Sequence, residues 1–148
     1  MTAEILNKTV IRRSFGGLIL ASSSPRRREL MAAAGYKFEV IEPDIDETDY
    51  PARKYSPVEF AKTLALAKAL SVAKKNKDSL VIGADTIVDY NGKIIGKAAD
   101  AKQAEQIIKM LFSSPHKVIT GIAIVRLLET IEIVEADTTI VFPKKMSA

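Results

Sequence analysis

The chain has 148 residues, 47% of them hydrophobic, which suits one domain with a single core that needs no disulfide or metal staple. It contains no cysteine, which excludes a disulfide framework, a zinc-thiolate site and a cysteine nucleophile, and makes a reducing cytoplasm the expected compartment. The single histidine excludes a multi-histidine metal centre, the apolar stretches are too short to span a bilayer, and a net charge of +4 favours polyanions without saying which.

Residues 1–17 read as a leader, and residues 18–148 as one domain. Leu18, Ile19, Leu20 and Ala21 form a continuous apolar run that fits a buried strand. Ser22, Ser23 and Ser24 break it, and Pro25 can take the first position of a helix capped by Ser24 and ended by Gly35. A short strand around Phe38 to Ile41 leads into an acidic loop with Asp44, Asp46 and Glu47, expected to be exposed.

Ser56, Pro57 and Glu59 have capping-box spacing and predict a long helix running to about Lys75. Residues 80–88 make the most apolar strand, and Asn91-Gly92 is the signal for a type I′ hairpin into residues 93–97. Asp100 and Gln103 open a third helix, after which residues 118–127 and 132–142 alternate as a long antiparallel hairpin. The expected class is α/β, a mixed β-sheet flanked by helices.

Three features resist a purely structural explanation. Arg26, Arg27 and Arg28 occupy the first helical turn, where the macrodipole disfavours cations. Either this is a solvated basic turn, or an anion held by serine hydroxyls, helix N–H groups and guanidinium forks resolves the conflict. Lys68 falls in a small-apolar stripe with Ala61, Leu64, Ala65 and Val72, so its ammonium either snorkels to water or meets an anion.

Asp85 interrupts the most apolar strand, and a buried carboxylate is costly unless paired, hydrogen-bonded or metal-bound. A strand-end aspartate bonding local amides is the alternative. The hairpin returns Lys97 opposite Thr86, where strict alternation puts Asp85 and Lys97 on different faces unless a bulge or twist near Gly96 intervenes. The loop acids can join Asp85 in holding Mg²⁺, or remain solvated. Aromatic residues are too scattered for a base-stacking platform, so no nucleic-acid partner is expected.

In their order along the chain these pieces resemble the Maf family: Ser22 to Arg27, Asp46-Glu47, Leu66-Ala67-Lys68-Ala69, Gly83-Ala84-Asp85-Thr86, Gly96-Lys97, and His116 to Gly121. The resemblance implies an α/β/α fold similar to that of inosine triphosphate pyrophosphatases. It also implies a nucleoside triphosphate pyrophosphatase dependent on Mg²⁺ or Mn²⁺. By the same resemblance Asp85 is the general base, Glu47 joins Asp85 at the metal, and Ser22, Ser24, Arg26, Arg27, Lys68, Thr86 and Lys97 bind substrate.

Arg26 and Thr86 resemble the branch acting on dTTP and UTP, and a homodimer is compatible with the family. Ala98 replaces the usual proline, and Phe112-Ser113-Ser114 stands where leucine-serine-glycine is common. The family's length implies that the chain is C-terminally truncated, with an exposed sheet edge or apolar patch as the expected consequence. The alternative function is a nucleotide- or RNA-binding module on the same fold without turnover.

Overall fold

The computed structural model describes residues 16–144. The leader assigned to residues 1–17 therefore lies almost wholly outside the described part. The architecture is α/β: a six-stranded mixed sheet in the order β2-β1-β3-β5-β6, with β4 also paired to β3. The strands are β1 (Leu18–Ala21), β2 (Glu39–Ile41), β3 (Leu80–Tyr90), β4 (Lys93–Ile95), β5 (His116–Arg126) and β6 (Ile131–Val141). The helices are α1 (Pro25–Ala33), α2 (Pro57–Ala73) and α3 (Ala101–Ser113). Strands β1 and β2 are parallel, as are β1 and β3, whereas β3, β4, β5 and β6 meet antiparallel.

Local chemistry sets the boundaries. Ser24, Ser56 and Asp100 each accept a hydrogen bond from the backbone three residues on, at the starts of α1, α2 and α3. Asn91 and Gly92 both adopt positive φ, as a type I′ turn requires, and join β3 to β4. Strand β1 is buried along its whole length: β2 and β3 pair with both its edges, and Ile19 and Ala21 pack into the core under α2.

The core forms where α2 lies across the sheet. Ala61, Leu64, Ala65, Ala69, Val72 and Ala73 make its buried face. Ile19, Ala21, Val81, Ala123 and Val125 supply the opposing surface. Gly83 and Gly121 allow close approach: a Cβ on Gly83 would lie 2.5 Å from the Ala65 carbonyl oxygen, and one on Gly121 would strike the Ala61 carbonyl. The helix backbone thus rests directly on the sheet, with Lys68 between these contact points. Helices α1 and α3 contain no buried residue. Apolar side chains also stand exposed on α3 (Ile108, Phe112), on the sheet (Ile122, Ile133) and along β6 at the sheet's edge (Ile140).

Candidate active site

The site originates in a gap in the sheet. One edge of β3 is paired throughout with β5, from Val81 to Asp89. Its other edge takes β1 as far as Gly83 and β4 only from Val88, so among the described residues no strand covers residues 84–87 on that side. Strand β1 releases Ser22, Ser23 and Ser24 on one flank of this gap, and β4 releases Gly96 and Lys97 on the other. A cavity of about 530 Å³ lies there, lined among others by Ser22, Ser24, Arg27, Glu47, Lys68 and Lys97.

Alternation along β3 turns Gly83 and Asp85 toward α2. Lys68 answers Asp85 from the helix, donating from Nζ to Oδ1 at 2.8 Å, and the same ammonium stands 3.4 Å from Glu47 Oε1. One cation therefore bridges a carboxylate from the sheet and one from the acidic loop. Burial holds the Asp85 carboxyl above its ordinary range. The Lys68 hydrogen bond and charge oppose that rise, Glu47 adds to it, and Arg27 acts weakly against it. Asp85 itself is 7% exposed, so it forms the wall behind Lys68.

The acidic loop is ordered by its own side chains. Asp46 Oδ1 accepts from both the backbone and the hydroxyl of Thr48, which keeps its carboxyl below the usual range and builds the turn Glu47–Asp49. Ser71 of α2 accepts from the Asp44 amide, tethering the loop to the helix that carries Lys68. Glu47 thereby faces the cavity although half of its side chain is exposed.

On the β1 side, Ser22 accepts from the Ser24 amide, and Ser24 accepts from the Arg27 amide to cap α1. The Arg27 guanidinium donates to the Ala84 carbonyl at 3.0 Å and to Thr86 Oγ1 at 3.1 Å. Its fork thus satisfies a carbonyl that β1 would have met had the strand continued.

The residues singled out in the sequence fall into two sets. Ser22, Ser24, Arg27, Glu47, Lys68 and Lys97 line one cavity, and Asp85 stands directly behind Lys68. Lys97 reaches the cavity because β4 ends at Ile95, so the strict alternation extrapolated to it does not apply. Thr86 projects from the opposite face of β3, exposed and bonded to Arg27, and Arg26 is exposed outside the cavity lining. One participant was not singled out, Thr48, which orders the acidic loop; Thr120 stood in the motif His116 to Gly121 without a role, and it pairs with Thr86 through a register set between distant segments.

Among the described residues no group of three or more histidines, cysteines or acids forms a ready metal cage. Glu47 and Asp85, which share one ammonium, have the donor chemistry that suits Mg²⁺, since that ion takes one or two carboxylates and completes its shell with water and phosphate oxygens.

Fold and site together define an α/β protein with a cationic, carboxylate-backed cavity at a break in its sheet. The chain belongs to the family described as Maf-like protein, whose model matches residues 17–148. A dTTP/UTP pyrophosphatase of Alkaliphilus oremlandii (strain OhILAs) is 46% identical over 131 residues, covering 88% of this chain and 67% of the relative. One of Bacillus cereus (strain AH820) is 42% identical over 118 residues, covering 80% of this chain and 61% of the relative. The match thus spans about three fifths of the Bacillus protein's length. The solved Staphylococcus aureus Ham1 protein shares the fold, with a TM-score of 0.59 at 17% identity over 83% of this chain and 69% of that one. Among the described residues no helix is long and apolar enough to cross a membrane.

Proposed function

We propose that this chain carries the phosphate-binding and catalytic groups of a nucleoside triphosphate pyrophosphatase acting on dTTP and UTP, modified pyrimidine nucleotides included. The observation that carries this reading is the Lys68 ammonium held between Asp85 and Glu47 on a cavity whose rim supplies Ser24, Arg27 and Lys97. The relatives' dTTP/UTP pyrophosphatase activity supplies the substrate class.

In this reading a water oxygen attacks the α phosphorus, its proton passes to Asp85, and the bond to the β phosphate breaks. Products are a nucleoside monophosphate and pyrophosphate. Arg27, Lys68 and Lys97 stabilise the charge that builds on the departing pyrophosphate, which is worth most where water is partly excluded. Ser22, Ser24 and the α1 N-terminus hold phosphate oxygens, and Thr86 acts through its bond to Arg27, with Arg26 adding positive charge beside the site. Bound Mg²⁺ or Mn²⁺, held by Glu47 and Asp85, would supply Lewis-acid polarisation of phosphate oxygens. A cytoplasmic setting and a homodimer accord with this reading, and no nucleic-acid partner enters it.

The test is pyrophosphate release from dTTP, UTP, 7-methyl-GTP and ITP with Mg²⁺ or Mn²⁺, for the chain and for Asp85→Asn. Release from dTTP and UTP that disappears in Asp85→Asn is the expected result. Nucleotide binding without release from any substrate would favour a binding module instead.

A further inference from the structure

The anchoring of Arg27 extends one residue beyond the groups assigned above. Its guanidinium has two fixed points, the Ala84 carbonyl at 3.0 Å and Thr86 Oγ1 at 3.1 Å. A guanidinium only donates, so Thr86 Oγ1 is the acceptor. That same oxygen lies 3.0 Å from Oγ1 of Thr120, the residue directly opposite it across the β3-β5 ladder. The threonine pair sits on the sheet face away from α2, and Thr120 does not line the cavity.

We propose that Thr120 is a positioning residue for polyphosphate binding: by fixing the Thr86 hydroxyl it sets the plane in which Arg27 presents its remaining donors to the cavity. The inference rests on the polyphosphate reading of the site. Two points define the orientation of a planar fork. The Ala84 carbonyl is held by the backbone, but the Thr86 hydroxyl is fixed only by its rotamer and its partner. A β-branched side chain has few χ1 wells, and a cross-strand hydroxyl bond selects the one that faces Arg27. Without Thr120 the guanidinium keeps one anchor and swings about it. Its unused N–H groups then no longer converge on the phosphates that Ser24 and Lys68 face.

The test measures binding of inorganic tripolyphosphate and of α,β-methylene-dTTP by titration calorimetry, with thermal melting to establish folding. Thr120→Val, nearly isosteric, is expected to weaken both ligands about threefold to tenfold, the scale of one hydrogen bond. Thr120→Ser, which keeps the hydroxyl, is expected to bind within about twofold of the parent. In an Arg27→Ala background, Thr120→Val is expected to have no further effect, because the group it positions is gone. Parent-like binding by Thr120→Val, or an equal loss in the Arg27→Ala background, would overturn the assignment while leaving the polyphosphate site standing. If the parent chain binds neither ligand, the site reading and this assignment fall together.

Discussion

Lys68 and Asp85 meet at 2.8 Å where α2 crosses β3, a helix cation and a strand carboxylate both largely withdrawn from solvent. Each explains the other's place in an apolar surface, since either alone would carry an uncompensated charge. Replacing Lys68 by methionine keeps much of the packing but strands Asp85. The expected cost is about 1–3 kcal/mol in denaturant unfolding, below the range for fully buried pairs because the cavity admits water. Replacing both residues, Lys68→Met with Asp85→Leu, should recover part of that loss. A double variant as unstable as the sum of the singles would show that the pair is not energetically coupled.

The pH dependence follows from the direction of the Asp85 shift. Burial raises its carboxyl above the unfolded value of about 4. Between that value and the higher folded one, the native state binds more protons than the unfolded chain. Its contribution to stability is therefore fully present below about pH 4 and is lost as pH rises through the folded value. In metal-free buffer, Asp85→Asn should lack this falling limb. Unfolding free energies of parent and variant measured from pH 4 to 8 should diverge across that window, and parallel curves would contradict the assignment.

Gly83 is required by a helix, not by a turn. Its hypothetical Cβ would stand 2.5 Å from the Ala65 carbonyl oxygen and 2.8 Å from the Ala69 amide, both backbone atoms of α2 that cannot rotate aside. Gly83→Ala must push α2 off the sheet near Lys68. The expected result is a loss of about 1–3 kcal/mol, typical of overpacking, with weaker ligand binding because Lys68 moves relative to Asp85. A variant with unchanged stability would mean that α2 is loosely seated.

Much of this was legible in the sequence, because local chemistry fixed it. Ser24, Ser56 and Asp100 announced the helices they cap, and Asn91-Gly92 announced its hairpin. Lys68 and Asp85 were each visible as a charge in the wrong company. What was not legible depended on pairing between distant segments. Nothing in Gly96-Lys97 says that β4 stops at Ile95, yet that ending, with β1 stopping at Ala21, opens the gap at residues 84–87. Arg27 reaches the Ala84 carbonyl across 57 residues of sequence, a contact that no periodicity encodes. Strict alternation separates Lys97 from Asp85 unless something intervenes near Gly96, and what intervenes is the end of the ladder at Ile95.

The cluster of cations around the cavity predicts stabilisation by polyphosphate. Arg27 and Lys68 come from α1 and α2, and Lys97 from the segment after β4, so an anion that binds all three ties these parts together in the folded state only. Tripolyphosphate at one hundred times its dissociation constant should add about 2.7 kcal/mol of apparent stability. Lys97 is exposed, so its share of the attraction should be screened by salt. Lys97→Ala should therefore reduce the melting shift at low ionic strength more than at high. Lys109, paired with Glu105 on α3 and outside the cavity lining, is the control. If Lys109→Ala lowers the shift as much as Lys97→Ala does, the stabilisation reflects net charge and not the cavity.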